Sequence, residues 1–463
     1  MARRTSSYPS LAGLGFVALV LSGLLAHGQP AEATLSQDDL KGLLPPGARI
    51  STKWHQDQVA VVGTPLASST TWVVLYDLQD INDPSVTIYD HAIAIVREDR
   101  RGFRIVTSRE IEHPEEWPNL AVNLRRGYPK TIDGRNAATL IAVEQTLIRG
   151  GGMGTELIVY SWDGTKLRRV FRSIEFVAYI WEIPSQSTDT LTLKLLRGQM
   201  RGNRNVPDVY VIDSRRAHLA NKEHPELYRE YADRADAVVQ RREHIDYREF
   251  LRILRALNSL QEYDKSLAVS EIGLDSVGRP DTHDARTVKG VYTELALQPL
   301  YVARGDAWLG KGNEAKAVEE YTTAGGVFEF TARAGEAMES RLRNSGRTEE
   351  QKYWSDSVTR GKVDAEGAGR GRQGPPSARS QGFAWRYLGD EYARRLDFRA
   401  ARRAYGRSLA ILGPVDEAWY ARARKTHGDS SMSAKEYGDK YQRANIAHDV
   451  QRTLKWLIVH EPD

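Results

Sequence analysis

"YLGDEYARRLDFRAARRAYGRSLA" (residues 387–410) sets very small side chains among bulky ones at helical spacing. Leu388, Tyr392, Phe398, Tyr405 and Leu409 are large, whereas Gly389, Ala401 and Ser408 are small. Two antiparallel helices approach closely only where one presents a glycine or alanine. Large neighbours three and four positions away then fill the grooves on either side. The stretch therefore predicts a helical hairpin with its small residues at the points of contact. Enlarging such a point overpacks it, at a cost of about 1–3 kcal/mol.

A second stretch, "LYVARGDAWLGKGNEAKAVEEYTTA" (300–324), follows the same plan. Apolar spacing of three and four begins in "HPELYREYADRADAVVQRREH" (224–244) and continues with short breaks to the end. One break is longer: "VDAEGAGRGRQGPPSARSQG" (363–382) is rich in Gly, Pro, Ser and Arg and reads as a flexible loop.

These two stretches resemble the tetratricopeptide repeat (TPR) family, whose unit is 34 residues. A large residue opens the first helix (Tyr301, Trp385), a glycine follows at the crossing (Gly305, Gly389), and an aromatic comes three later (Trp308, Tyr392). The second helix carries Ala317 and Ala401, then Tyr321 and Tyr405, then Ala324 and Ser408. Gly312 to Gly346 and Trp385 to Trp419 are each 34 positions. Gly305 to Gly389 is 84, two units plus 16, which suggests a degenerate unit at 331–361 and the Gly/Arg-rich loop as an insertion. Residues 247–274 match in Tyr263, Ser266 and Gly273, although Leu254 stands where a glycine is usual. Residues 417–447 fit loosely, and 449–461 would be a terminal cap. The resemblance covers roughly 220 residues and implies an α-solenoid of about five helix pairs, with a concave face that takes a protein or peptide segment. The matching positions are packing positions and carry no assigned contacts.

Between about 56 and 213 the pattern has period two with β-branched and aromatic residues, which predicts strands. They are expected at 58–64, 71–77, 86–96, 103–110, 138–147, 156–162, 166–172, 174–183, 190–196 and 208–213. Asp163-Gly164 is a strong hairpin dipeptide. Residues 92–111 resemble 156–175, each strand, polar turn, strand. Duplicated hairpins suit a propeller-like or sandwich domain, and two are too few to close a propeller. The fold class is thus α+β in separate domains. An antiparallel all-β domain (56–213, sandwich or propeller-like) follows a lead-in at 34–55, and a TPR-like helical domain occupies 214–463.

The N-terminus reads as an export signal (1–33). It has Arg3-Arg4, an apolar core at Leu11–Ala26, and small residues that place cleavage after Gly28 or Ala33. The apolar run is about 16 residues with three glycines, short of the ~20 a spanning helix needs. The residues around the arginine pair fit twin-arginine export poorly. A periplasmic or secreted location follows. The chain has 463 residues, a net charge of +4 and no cysteine. Disulfides, thiol catalysis and thiolate metal sites are excluded. Arginine far outnumbers lysine but is dispersed, without the basic stripe and stacking aromatics of a nucleic-acid surface.

No catalytic, cofactor-binding or metal-ligating residue can be assigned. "RGGGMG" (149–154) lacks the Lys and Ser/Thr of a phosphate loop and leads into a strand, so it reads as a hairpin connection. "GAGRGRQG" (367–374) follows no strand. "YDLQDINDPSV" (76–86) resembles the calcium loops of FG-GAP-type propeller blades at Asp77. Gln79 and Ile81 stand where acids are needed, leaving Asp80, Asn82 and Asp83 as oxygen donors, and a polar turn explains the stretch better. Pro114 within "EHPEEW" (112–117) and Pro118 just after it suggest an exposed loop for His113, Glu115 and Glu116. There is no H-E-x-x-H, G-x-S-x-G or S-x-x-K motif.

The expected function is a non-catalytic scaffold or adaptor, working without a cofactor. The alternative is a ligand or glycan receptor acting through the β domain, with the helices as an arm. Exposed aromatics on one sheet face, with Trp162, Tyr179 and Trp181 as candidates, would favour that alternative. A hydrolase would need acids or histidines converging in a cleft.

Overall fold

A computed structural model describes residues 35–50, 59–62, 71–78, 90–111, 120–277, 293–328 and 376–460, apart from 36–37, 41, 134–136, 150–151, 174–176, 185–187, 198–205, 242–244, 246, 427–430 and 432–433. The export-signal segment, Asp80, Asn82 and Asp83, "EHPEEW", "GAGRGRQG" and the unit at 331–361 lie outside the described residues.

The N-terminal part is antiparallel throughout. One sheet holds β1 (Arg49–Ile50), β2 (Val59–Val62), β3 (Thr71–Leu78), β4 (Asp90–Asp99) and β5 (Gly102–Ile111). The other holds β6 (Leu120–Leu124), β7 (Lys130–Ile132), β8 (Ala138–Arg149), β9 (Gly152–Trp162), β10 (Leu167–Arg172), β11 (Val177–Ile183), β12 (Leu191–Arg197), β13 (Asp208–Ile212) and β14 (Ala217–Leu219). Its order is β14-β13-β12-β11-β9-β8-β6. β10 shares an edge of β9 with β11, and β7 pairs with β8. The two sheets face each other across one core, where Val73, Leu75, Ile93 and Ile95 meet Ile141, Val143, Ile158, Tyr160 and Trp162. Beneath β8 and β9, Leu140, Ala142, Leu157 and Val159 share a second core with Leu191, Leu193, Leu195, Tyr210 and Ile212. β8 and β9 are therefore covered on both faces, which is why they read as near-continuous apolar runs.

The two resembling stretches are both hairpins, β4–β5 and β9–β10, in different sheets. Asp163 takes the N–H groups of Thr165 and Lys166, and Gly164 adopts φ 93° in the turn. "RGGGMG" is the β8–β9 connection, with Arg149 opposite Gly152. Two expected boundaries move. The lead-in belongs to the β region, because β1 pairs with β3 and Leu35, Leu40 and Leu44 cover Trp72, Val74 and Tyr76. The β region also runs past 213, because Asp213 accepts from the Arg215 and Arg216 amides and turns the chain into β14.

After short turns at Asn221–Glu223 and Pro225–Leu227 the described residues are mainly helical. The described helices are α1 (Arg229–Arg241), α2 (Tyr247–Ser259), α3 (Tyr263–Val277), α4 (Thr293–Gly310), α5 (Glu314–Phe328), α6 (Ala378–Arg394), α7 (Phe398–Leu412), α8 (Glu417–Thr426) and α9 (Ala434–His460). The hairpin expected at 387–410 is α6–α7, and its glycine is the point of contact. A Cβ on Gly389 would lie 2.6 Å from the Tyr405 ring, and one on Gly305 would lie 2.3 Å from Tyr321. Each tyrosine hydroxyl then reaches back to the residue after its glycine, Tyr405 to Asp390 (2.6 Å) and Tyr321 to Asp306 (2.7 Å).

One turn is used three times. Gln261, Gly312 and Leu396 take φ of 64°, 77° and 62° in the α2–α3, α4–α5 and α6–α7 connections. In each, the following N–H reaches back five residues: Glu262 to Leu257, Asn313 to Trp308 and Asp397 to Tyr392, all at 2.9 Å. These orphan carbonyls are satisfied as in a Schellman-type stop. Only Gly312 suits the left-handed region at no steric cost. Leu396 adopts it while its side chain reaches the core beneath β8 and β12.

α5 packs directly onto α6, where a Cβ on Gly325 would lie 2.9 Å from the Ser380 carbonyl and the Phe383 ring. Two details of the helical reading change. The loop expected to end at 382 ends earlier. Ser377 caps α6 by accepting from the Ser380 amide, and Gly382 is a packing glycine against Leu412. The unit at 417–447 and the cap at 449–461 share one helix, α9, because no proline or glycine interrupts 439–460. Its Ile446, Ala447, Val450 and Leu457 close over Phe383, Phe398 and Tyr405.

The two regions meet where the α6–α7 turn touches β13. Arg394 Nη1 donates to Asp208 Oδ1 (2.8 Å), and the Tyr210 hydroxyl donates to the Arg394 carbonyl (3.1 Å). Arg394 also grips Glu391 through Nε (2.7 Å) and Nη2 (2.5 Å), and Arg395 Nε donates to the same carboxylate (2.9 Å). Asn221 bonds Asp208 (3.0 Å), the Val209 amide (2.7 Å) and Ser259 of α2 (3.2 Å).

Candidate functional site

Strand β11 alternates. Ile180 turns into the core shared with β12 and β13, so Tyr179 and Trp181 turn away from it. A register shift between Val177 and Tyr179 sets that alternation after the strand leaves β9, which it meets only at Val177. Among the described residues, Tyr179 (60% exposed) and Trp181 (42%) are the large apolar side chains left to solvent. Their rings stack at 5.4 Å, 24° from parallel. Lys194 is the β12 partner of Trp181, and its ammonium lies 4.8 Å from the indole centroid. The cation is drawn to the negative ring face.

The other edge of β11 is held by the β6–β7 connection. Arg125 donates to the Ile180 carbonyl (2.9 Å) and pairs with Glu144. Lys130 pairs with Glu182, and the Tyr128 hydroxyl reaches the same carboxylate (3.5 Å). Burial, and next the Glu182 charge, raise the Tyr128 phenol, so it remains a donor. The result is a flat aromatic pair beside a lysine, an ion pair and a phenol. It can stack a ring or an apolar edge and offer both charges to polar groups around it. It holds no nucleophile–base pair.

Trp162, the third aromatic candidate, is 1% exposed and fills the core between the sheets. Asp77 lies on β3, buried opposite His91, whose Nδ1 is 2.8 Å from Asp77 Oδ1. Among the described residues no group of three or more His, Asp or Glu is placed to hold a metal ion, and no helix is long and apolar enough to cross a membrane. Buried Arg172 takes Glu156 in two bonds (2.7 and 2.8 Å) beside Gln145, an ion pair that joins strands inside the β region. Lys194 and Lys130 escaped the sequence. "TLTLKLL" puts Lys194 on a strand, but only the register sets it over Trp181.

Comparison with protein-family models, with curated proteins and with solved structures finds no match.

Proposed function

We propose that this chain is an exported, non-catalytic binding protein that takes its ligand on the Tyr179–Trp181 face of the β region, with TPR-type helix pairs as its arm. The observation that carries this is the solvent-exposed, stacked pair beside Lys194. Large aromatics concentrate at contact surfaces because each brings a large area at a small entropic cost. Carbohydrate is the ligand class that fits best, since a sugar's C–H edge packs on a ring while its hydroxyls meet Glu182, Lys130 and Lys194. The test is a saccharide array probed with the mature full chain and with Tyr179→Ala/Trp181→Ala. Retention of defined saccharides by the first and not by the second supports the proposal. Equal retention by both, or none by either, removes it.

A scaffold reading keeps one specific support, the contact and turn geometry repeated in α4–α5 and α6–α7. Against it, charged groups of α6 are engaged within the chain. Arg386 lies 3.3 Å from Asp449 of α9, and Arg394 is held by Asp208.

A further inference from the structure

We propose that the exposed face of α7 is a docking surface for an acidic helix of a partner protein, one that carries carboxylates four residues apart. α7 holds no Asp or Glu between Phe398 and Leu412. Three of its four arginines, Arg399, Arg403 and Arg407, are exposed and stand four positions apart. They are successive members of one i±4 row, with a step of about 6 Å along the axis and an arc of about 80° in all.

The row has no counter-charge. Arg399 and Arg403 make no hydrogen bond or ion pair among the described residues. The Arg407 guanidinium lies 4.4 Å from the Trp385 ring centroid, and stacking of this kind leaves its N–H edge for an acceptor. Nothing in the fold asks for these charges. Like charges four apart oppose a helix. Arg399 also lies in the first turn, where the helix dipole favours an acid. The first turns of α1, α2, α3, α5 and α8 do carry one: Glu230, Glu249, Asp264, Glu314 and Glu417. At α7 the acid is Asp397 at the cap, which accepts from the Ala400 amide. The neighbouring hairpin shows that packing is met without arginine. Helix α5 has the same glycine–tyrosine contact and the same turn, and 84 positions earlier it carries Ala315, Glu319 and Thr323 in these places.

Charge complementarity names the partner. Guanidinium forks take carboxylates in two parallel bonds. Side chains four apart on any α-helix repeat at the same ~6 Å step. A helix with Asp or Glu at i, i+4 and i+8, laid along α7, therefore brings three carboxylates to three arginines in register. Other anionic partners fit less well. Single-stranded nucleic acid needs free aromatic faces for its bases, and Trp385 is half-buried with Arg407 on its ring. A membrane surface needs an apolar face to insert, and that face of α7, with Phe398, Ala401 and Tyr405, is closed against α9. α7 lies outside the β region, so this surface does not depend on the β11 rings.

Fluorescence anisotropy with the full chain tests this. The probes are two labelled, equally helical peptides of one composition, with three glutamates four residues apart in the first and spread around the helix in the second. At low ionic strength the first should bind about tenfold more tightly than the second, and Arg399→Gln/Arg403→Gln/Arg407→Gln should weaken it about tenfold. Lys166→Gln/Lys222→Gln/Arg229→Gln removes three exposed cations elsewhere and should leave it within about twofold. Equal affinity for the two peptides, no binding of either, or a loss shared by both triple variants overturns the proposal. Heparin, single-stranded DNA or anionic vesicles held more tightly than the first peptide, and released by the arginine variant, would assign the stripe to another polyanion and overturn it as well. The arginine variant should melt at or above the wild-type Tm, since it relieves like charges. A lower Tm would mean that the fold itself needs the arginines, which is also a negative answer.

Discussion

Tyrosines meet opposite fates in the two regions. In the helices, Tyr321 and Tyr405 are fully buried, each flat against a glycine with its hydroxyl on an aspartate of the same hairpin. On β11, Tyr179 stacks on Trp181 and faces water. The helical rings have complete partners within the chain. Among the described residues the strand rings have no apolar cover, although uncovered apolar area is unfavourable by roughly 25 cal/mol per Å². A ring used for packing and a ring kept for contact thus differ in what mutation should cost.

The largest effect is expected at Tyr405→Ala. It empties a buried ring site and leaves Asp390 without its phenol, and it should cost about 3–5 kcal/mol in urea unfolding followed by helical circular dichroism. A loss under ~1 kcal/mol would break the contrast at its stronger end. Next comes acid. The native Glu391 value lies below its unfolded value, so the native state holds fewer protons between them. Its contribution is complete above the ordinary glutamate range near 4.5 and is lost as pH falls toward 2. That contribution is about 3 kcal/mol at most. Glu391→Gln should flatten the decline of stability between pH 5 and pH 2.5, and an unchanged slope would assign the decline to other groups. Asp306 acts with the opposite sign, favouring the native state below about 6.

A smaller cost is expected at Gly305→Ala. The new methyl meets a Tyr321 ring anchored on Asp306, and overpacking of about 1–3 kcal/mol is offset by up to about 1 kcal/mol of helix propensity. Thermal melts of Gly305→Ala beside Gly406→Ala sharpen the point, since a Cβ at Gly406 meets nothing within 4 Å. Gly406→Ala should be neutral or stabilising. The smallest effect belongs to Tyr179→Ala and Trp181→Ala, within about 0.5 kcal/mol each, as for exposed sites away from packing. If either cost as much as Tyr405→Ala, the β11 pair would be structural and the ligand surface would have to be sought elsewhere.

Local chemistry was legible in the sequence. The glycines at 305 and 389, the aromatics after them, the Asp163-Gly164 turn and the switch from period two to apolar spacing of three and four are written within a few residues, and contacts inside a hairpin obey those spacings. The turn repeated at Gln261, Gly312 and Leu396 was less legible, because only one of the three is a glycine. β7 and β14, three residues each, were too short to show a period.

By itself the sequence determined that β hairpins precede helix pairs, and which small residues those pairs close on. Tertiary structure alone decided which aromatics stay in water. Period two places Trp162, Tyr179 and Trp181 on faces of strands, but whether a face is covered depends on a surface delivered from elsewhere: a second sheet for Trp162, none among the described residues for Trp181. The same holds for Arg394 and Asp208. They are 186 positions apart, and no local pattern can announce an ion pair whose partners meet only after both regions have folded.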